Sequence, residues 1–177
     1  MVQHLIIIRG PPGIGKSTIA KKLALHISGN VSVVDIDTLR YDFIPKRSNT
    51  FNDHNLVYSN LKDIIKNTIN DGLSIIIEGI LASKDKSGNL RIDEFENFSG
   101  PQIKITRIFL KGDKQTQESR LRRRHKKFLH NEIYEWTQLA NSTITKKDSI
   151  INTSNKKKSE IINIILKMIK NPNKNNL

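Results

Sequence analysis

Gly10-Pro11-Pro12-Gly13-Ile14-Gly15-Lys16-Ser17 decides how this chain is read. The stretch fits G-x-x-x-x-G-K-[ST]. It lies between a continuous apolar run, His4–Arg9, and an amphipathic segment, Lys16–Ser28, with Ile19, Ala20, Leu23 and Ile27 on one face. A buried strand, a glycine-rich turn and a helix in that order are the context that gives the motif its meaning. The glycines let backbone N–H groups turn inward around a phosphate, and the helix start adds the positive end of its dipole. Gly10, Pro11, Pro12, Gly13, Ile14, Gly15, Lys16, Ser17 and Thr18 are therefore the expected nucleotide-binding residues. Lys16 is placed to reach the β- and γ-phosphates, and the Ser17 hydroxyl to ligate Mg²⁺.

Further along, Val31–Ile36 is a short β-branched run, and Leu56, Val57, Leu61, Ile64, Ile65 and Ile69 repeat at helical spacing over 55–70. Asp71-Gly72 ends that helix. Leu73–Ile77, Ile103–Leu110 and Ser149–Asn152 read as further strands, and Ser83–Asn89 as a loop. Ile161, Ile162, Ile165, Met168 and Ile169 form one face of a closing helix. Strands alternating with helices predict a three-layer α/β fold: a five-stranded, mostly parallel sheet with helices on both faces. The expected organisation is a single domain over 1–170, with a basic lid helix around 113–130 and a disordered tail at 171–177.

In open parallel sheets, residues just beyond the strand C-termini face the ligand crevice. Asp35, Asp37 and Arg40 stand beyond the second strand. Asp37 is the expected general base for an attacking hydroxyl, Asp35 a metal-side carboxylate, and Arg40 the holder of an anionic part of the acceptor. An Asp at this point also serves commonly as a helix cap. Glu78 ends the third strand, where a carboxylate is expensive unless something pairs with it; bound acceptor, metal-held water and Lys16 are the available partners. Arg120 and Arg124, four residues apart in a basic helix, are the candidate clamp on the transferring phosphoryl group. His4, His26, His54, His125 and His130 show no metal-ligand spacing.

Composition narrows the classes. Hydrophobic residues at 36% and charged residues at 27% exclude wholesale disorder, and the absence of cysteine excludes disulfides and thiolate metal sites. The longest apolar runs are too short to span a bilayer and no signal peptide is seen, so no membrane association and a cytoplasmic location are expected. The charge of +13 is uneven: residues 1–100 carry 12 basic and 11 acidic side chains, residues 101–177 carry 18 and 6. The basic half points to an anionic ligand, either nucleotide phosphates or a nucleic-acid backbone.

Together the 10–17 motif, Asp37-Thr38-Leu39-Arg40, Ile75–Gly79 and the arginines of 120–124 resemble small P-loop kinases of the adenylate-kinase-like and polynucleotide-kinase-like class, an AAA-type P-loop kinase domain. In polynucleotide kinases an Asp-x-x-Arg at this distance supplies the general base and an acceptor-phosphate contact. The resemblance implies those roles for Asp37 and Arg40. It departs from a standard Walker B strand, since Glu78 rather than Asp ends the third strand. The expected activity is transfer of the γ-phosphoryl group of ATP (or GTP), with Mg²⁺, to a hydroxyl of a small or nucleoside-like acceptor. A 5′-hydroxyl polynucleotide kinase and a nucleotide-dependent switch are the alternatives.

Overall fold

The computed structural model describes residues 2–44, 51–123 and 130–170. Five parallel strands form one sheet: β1 (Gln3–Arg9), β2 (Val31–Asp35), β3 (Ser74–Gly79), β4 (Ile103–Lys111) and β5 (Ser149–Asn152). Their order is β2-β3-β1-β4-β5, so the strand that leads into the glycine-rich loop is central. Every pairing is parallel, which carries the mostly parallel expectation to its limit. The helices are α1 (Lys16–Ala24), α2 (Ile36–Phe43), α3 (Phe51–Asn70), α4 (Lys114–Arg122), α5 (His130–Asn141) and α6 (Lys158–Lys170), with a 3₁₀ segment at Arg91–Phe98.

Strand periodicity sorts the core into two layers. On β1, Ile6 and Ile8 face one side, where they meet Ile19, Ala20 and Leu23 of α1 and Ile161, Ile162, Ile165 and Ile169 of α6. Leu5 and Ile7 face the other, against Val57, Tyr58, Leu61 and Ile65 of α3 and Ile92 and Phe95 of the 3₁₀ segment. Each layer seals one face of the sheet, so the C-terminal strand ends are left as the open crevice.

Local differences from the sequence reading have plain causes. α1 stops at Ala24, a turn before Ser28, because the Leu25 and His26 amides close tighter bonds to Lys22 and Leu23 and the chain turns at Gly29 (φ 83°). Ile36 belongs to α2 and not to β2, because the Asp35 carboxylate accepts from the Asp37 and Thr38 amides and starts a helix there. The segment Arg91–Phe98 looks polar in sequence, yet Ile92 and Phe95, three apart, are fully buried. Among the described residues no helix is long and apolar enough to cross a membrane. The expected tail 171–177, part of the lid and Arg124 lie outside the described residues.

Candidate active site

The loop after β1 is held open by its own neighbours. Lys16 is buried and donates through Nζ to the Pro11 carbonyl at 3.0 Å. Gln117 of α4 donates to the Pro12 carbonyl at 2.7 Å, and Arg120 donates to the Ile14 carbonyl at 2.8 Å. Three loop carbonyls are thus tied to side-chain donors. α1 begins at Gly15 with no side-chain cap and no acidic residue in its first turn. Such a helix start suits an anion. Gly10 cannot be replaced: its φ is 143°, and a Cβ there would stand 2.2 Å from the Leu110 carbonyl oxygen of β4.

Glu78 pairs in register with Ile8 of β1 on one side and with Asp35 of β2 on the other. It is only 2% exposed, and the Ser17 hydroxyl and Lys16 favour its charged form. Burial pushes its pKa up to about 7. Asp35 and Asp37 add to the rise, while the Ser17 hydrogen bond and Lys16 oppose it. The glycine motif, Asp35, Asp37 and Glu78 therefore share one electrostatic neighbourhood at the strand ends. Gly79 lets it close: a Cβ there would lie 2.3 Å from Ile36 Cγ2.

The two aspartates divide. Asp35 Oδ1 accepts from the Asp37 amide at 2.9 Å and the Thr38 amide at 3.3 Å, and Oδ2 accepts from the Thr38 hydroxyl at 3.1 Å. It is a cap that aims α2. Asp37 is exposed in the first turn of that helix, with Arg40 one turn further along and half-buried.

On the other side, Arg120 also donates to the Thr153 hydroxyl at 3.1 Å and the Thr153 carbonyl at 3.2 Å. Its guanidinium therefore ties the glycine-rich loop, α4 and the β5–α6 connection together. A groove of about 670 Å³ continues from there, lined by Lys22, Arg123, Lys156, Lys157 and Lys158 among others. A smaller pocket joins it to Gly15 and Thr18. Arg120, Arg123 and Lys156–Lys158 of the basic half line it, and none of the lining residues comes from α2 or α3.

Sequence reasoning missed three residues of this region. Gln117 is one, buried between the Pro12 carbonyl and Thr137 Oγ1 (2.9 Å). Arg9, the last residue before the loop, is another. It is fully buried, and its guanidinium meets Asp148 at 2.9 and 2.7 Å, Thr143 through both the hydroxyl and the carbonyl, and the Phe109 ring face. Arg91 is the third, buried on the 3₁₀ segment with its guanidinium 5.8 Å from the Tyr58 ring centre. Only the amphipathic spacing of 91–98 could have hinted at the last.

A central parallel strand, a phosphate-type loop and acidic strand ends define a P-loop kinase-like nucleotide-binding fold. The sequence matches the AAA domain family over residues 5–132, and the chain belongs to that family. A search of curated proteins found no match. Among solved structures, it is similar to a sugar kinase from Janibacter sp. HTCC2649 (TM-score 0.68, 16% identity, covering 96% of this chain and 95% of that one). It is similar to a gluconokinase from Sinorhizobium meliloti 1021 (0.67, 15%, 96% and 93%). The APS kinase of Mycobacterium tuberculosis in complex with AMPPNP and APS is a further relative in fold (0.64, 15%, 96% and 98%).

Proposed function

We propose that this protein transfers the γ-phosphoryl group of ATP to a hydroxyl group of a small acceptor. The observation that carries the reading is the meeting of the Gly10–Ser17 loop with Glu78, while α2 presents Asp37 and Arg40 at the same strand ends. Lys16 and the uncapped start of α1 hold the phosphates, and Asp37 takes the proton of the attacking hydroxyl. Arg40 orients the acceptor. The work is mostly positioning and charge stabilisation.

Mg²⁺ fits this donor set. Among the described residues no three His, Asp or Glu side chains form a cage of their own, and Mg²⁺ in such sites takes one or two protein oxygens plus substrate phosphates. Ser17 and Glu78 are two such oxygens, and the raised pKa of Glu78 marks a place short of positive charge. Asp35, committed to capping α2, is assigned to the supporting field and not to the ion. When bound, Mg²⁺ would neutralise charge on the phosphates. Arg120 serves as a strut under the loop.

A polynucleotide acceptor is the second reading, favoured by the +12 excess of residues 101–177. The cationic groove, however, is built from α1, α4 and the β5–α6 connection, not from the helix that carries Asp37. This favours a role toward the donor nucleotide. A screen with γ-labelled ATP and Mg²⁺ tests both readings, using small hydroxyl compounds, nucleosides and 5′-hydroxyl oligonucleotides. The expected result is label on a small acceptor with one ADP formed per transfer, lost in Lys16→Ala. ADP release indifferent to every acceptor would instead support a nucleotide-dependent switch.

A further inference from the structure

The groove of about 670 Å³ beside the glycine-rich loop draws its walls from three elements distant in sequence. α1 brings Lys22, the end of α4 brings Arg123, and the chain entering α6 brings Lys156, Lys157 and Lys158. Arg120 lines it too but is committed to Ile14 and Thr153. Thr116, Ser119, Asn155 and Ser159 complete the wall. Among the described residues, no carboxylate, aromatic or aliphatic side chain lines it.

The carboxylates nearest along the chain are occupied. Glu118 lies 3.9 Å from Lys114 and 3.8 Å from Arg122. Asp113 accepts from the Thr116 amide at 2.6 Å and its hydroxyl at 3.1 Å, and Glu160 accepts from the Lys157 amide at 3.2 Å. Among the described residues, the side chains of Lys22, Arg123, Lys156, Lys157 and Lys158 make no hydrogen bond or ion pair. Like charges gathered in one concavity repel each other and favour an anionic occupant.

The donor nucleotide does not use up this charge. Its phosphates belong to Lys16 and the loop, and the smaller pocket against the loop offers Ile14, Ile19 and Ile161 to a neutral nucleoside. Lys22 and Lys157 line the groove and not that pocket. Lysine, arginine, serine, threonine and asparagine are side chains that contact phosphate and sugar in nucleic-acid complexes, whereas aromatic rings are the stacking platform for bases. The hydroxyls and the asparagine both donate and accept, which suits ribose 2′-hydroxyls; inorganic polyphosphate only accepts. We propose that the groove binds the sugar–phosphate backbone of an RNA strand, without reading its sequence. The groove lies away from the helix that carries Asp37, so the strand docks here as a partner and not as the phosphoryl acceptor.

The test is fluorescence anisotropy on the full chain saturated with AMPPNP and Mg²⁺, so that the donor site is already filled. The probes are two unpaired oligoribonucleotides of different sequence, each about 12 nucleotides long, within the range of single-strand site sizes. Both should bind within about threefold of each other, since no base is read. Their log affinity should fall against log salt with a slope of about −2 to −3.5, at about 0.7 per neutralised phosphate. Lys22→Gln with Lys157→Gln should flatten that slope by about 1.4 and weaken binding about tenfold or more at 0.1 M salt. Lys66→Gln with Lys104→Gln removes the same charge from α3 and β4 and should change affinity less than about twofold. All four lysines are exposed, so the fold should survive both changes. Equal losses in the two double variants would reduce the binding to diffuse net charge and overturn the proposal. So would a Lys22/Lys157 variant that loses AMPPNP affinity but keeps the RNA, because the groove would then serve the donor nucleotide. DNA of the same sequence, or polyphosphate of the same charge, bound as tightly as the RNA would overturn it as well.

Discussion

Two buried charges end neighbouring strands of this sheet and meet opposite fates. Arg9 closes β1 and Glu78 stands one residue from the end of β3, adjacent in register. Arg9 is fully satisfied: Asp148 receives it with both oxygens, Thr143 accepts twice, and the Leu81 carbonyl lies at 3.4 Å. Glu78 has Ser17 and Lys16 on its side but Asp35 and Asp37 against it. A completed ion pair fixes the strand from which the loop springs, whereas an incompletely compensated carboxylate marks where a ligand's charge is to be accommodated.

Removing Asp148 attacks the satisfied half of this contrast and has the larger effect on stability. Burial works against the Asp148 carboxylate, but Arg9, the Thr145 amide and Arg107 hold its pKa below the ordinary range. Both side chains of the Arg9–Asp148 pair are 0% exposed, and Arg107 Nε lies 3.5 Å from the same carboxylate. Asp148→Asn leaves the Arg9 guanidinium without its counter-charge, at a cost of about 3–5 kcal/mol by analogy with other broken buried pairs. Chemical denaturation near neutral pH measures it. A loss under about 1 kcal/mol would show the pair to be dispensable.

Glu78 gives a smaller effect of opposite character. A carboxyl with a folded pKa near 7 binds its proton more tightly in the native chain than in the unfolded one. Its contribution is favourable below its ordinary pKa and is lost as pH rises through about 7, with a slope of up to about 1.4 kcal/mol per pH unit. His4 and His54, both with lowered pKa, tilt stability the other way in this window. The informative quantity is therefore the difference between wild type and Glu78→Gln in ligand-free protein. Relative to the variant, wild type should lose stability between pH 5 and 8; parallel curves would remove the claim that Glu78 is undercompensated.

The sequence makes the Glu78 end of the crevice partly visible and the Arg9–Asp148 pair hardly at all. The loop was legible because its eight positions are contiguous and their strand-to-helix setting can be read locally. β1 and β3 were legible because strands buried on both faces are apolar without interruption, as Leu5–Ile8 and Ile75–Ile77 are. Glu78 was legible as an anomaly, a carboxylate closing such a run, but its partner Ser17 was not. Arg9 and Asp148 are 139 residues apart, and no local pattern couples them. Arg91 and Gln117 sit in segments whose charge makes them look solvated, and only packing against Tyr58 and the Pro12 carbonyl distinguishes them. Asp35 shows the limit from the other side: sequence places it beside the crevice, and three short-range hydrogen bonds give it to the helix.

Turnover in Asp37→Asn, set beside Asp35→Asn and the wild type, tests the central claim most directly. With an acceptor from the screen, loss of the general base should lower kcat by about 10²–10⁴-fold. ATP affinity should move by less than about threefold, because the lost interaction belongs to the transition state. Asp35→Asn should cost less turnover and little stability, since Asn caps a helix about as well as Asp. A nearly silent Asp37→Asn beside a crippled Asp35→Asn would contradict the account and move the base to the end of β2.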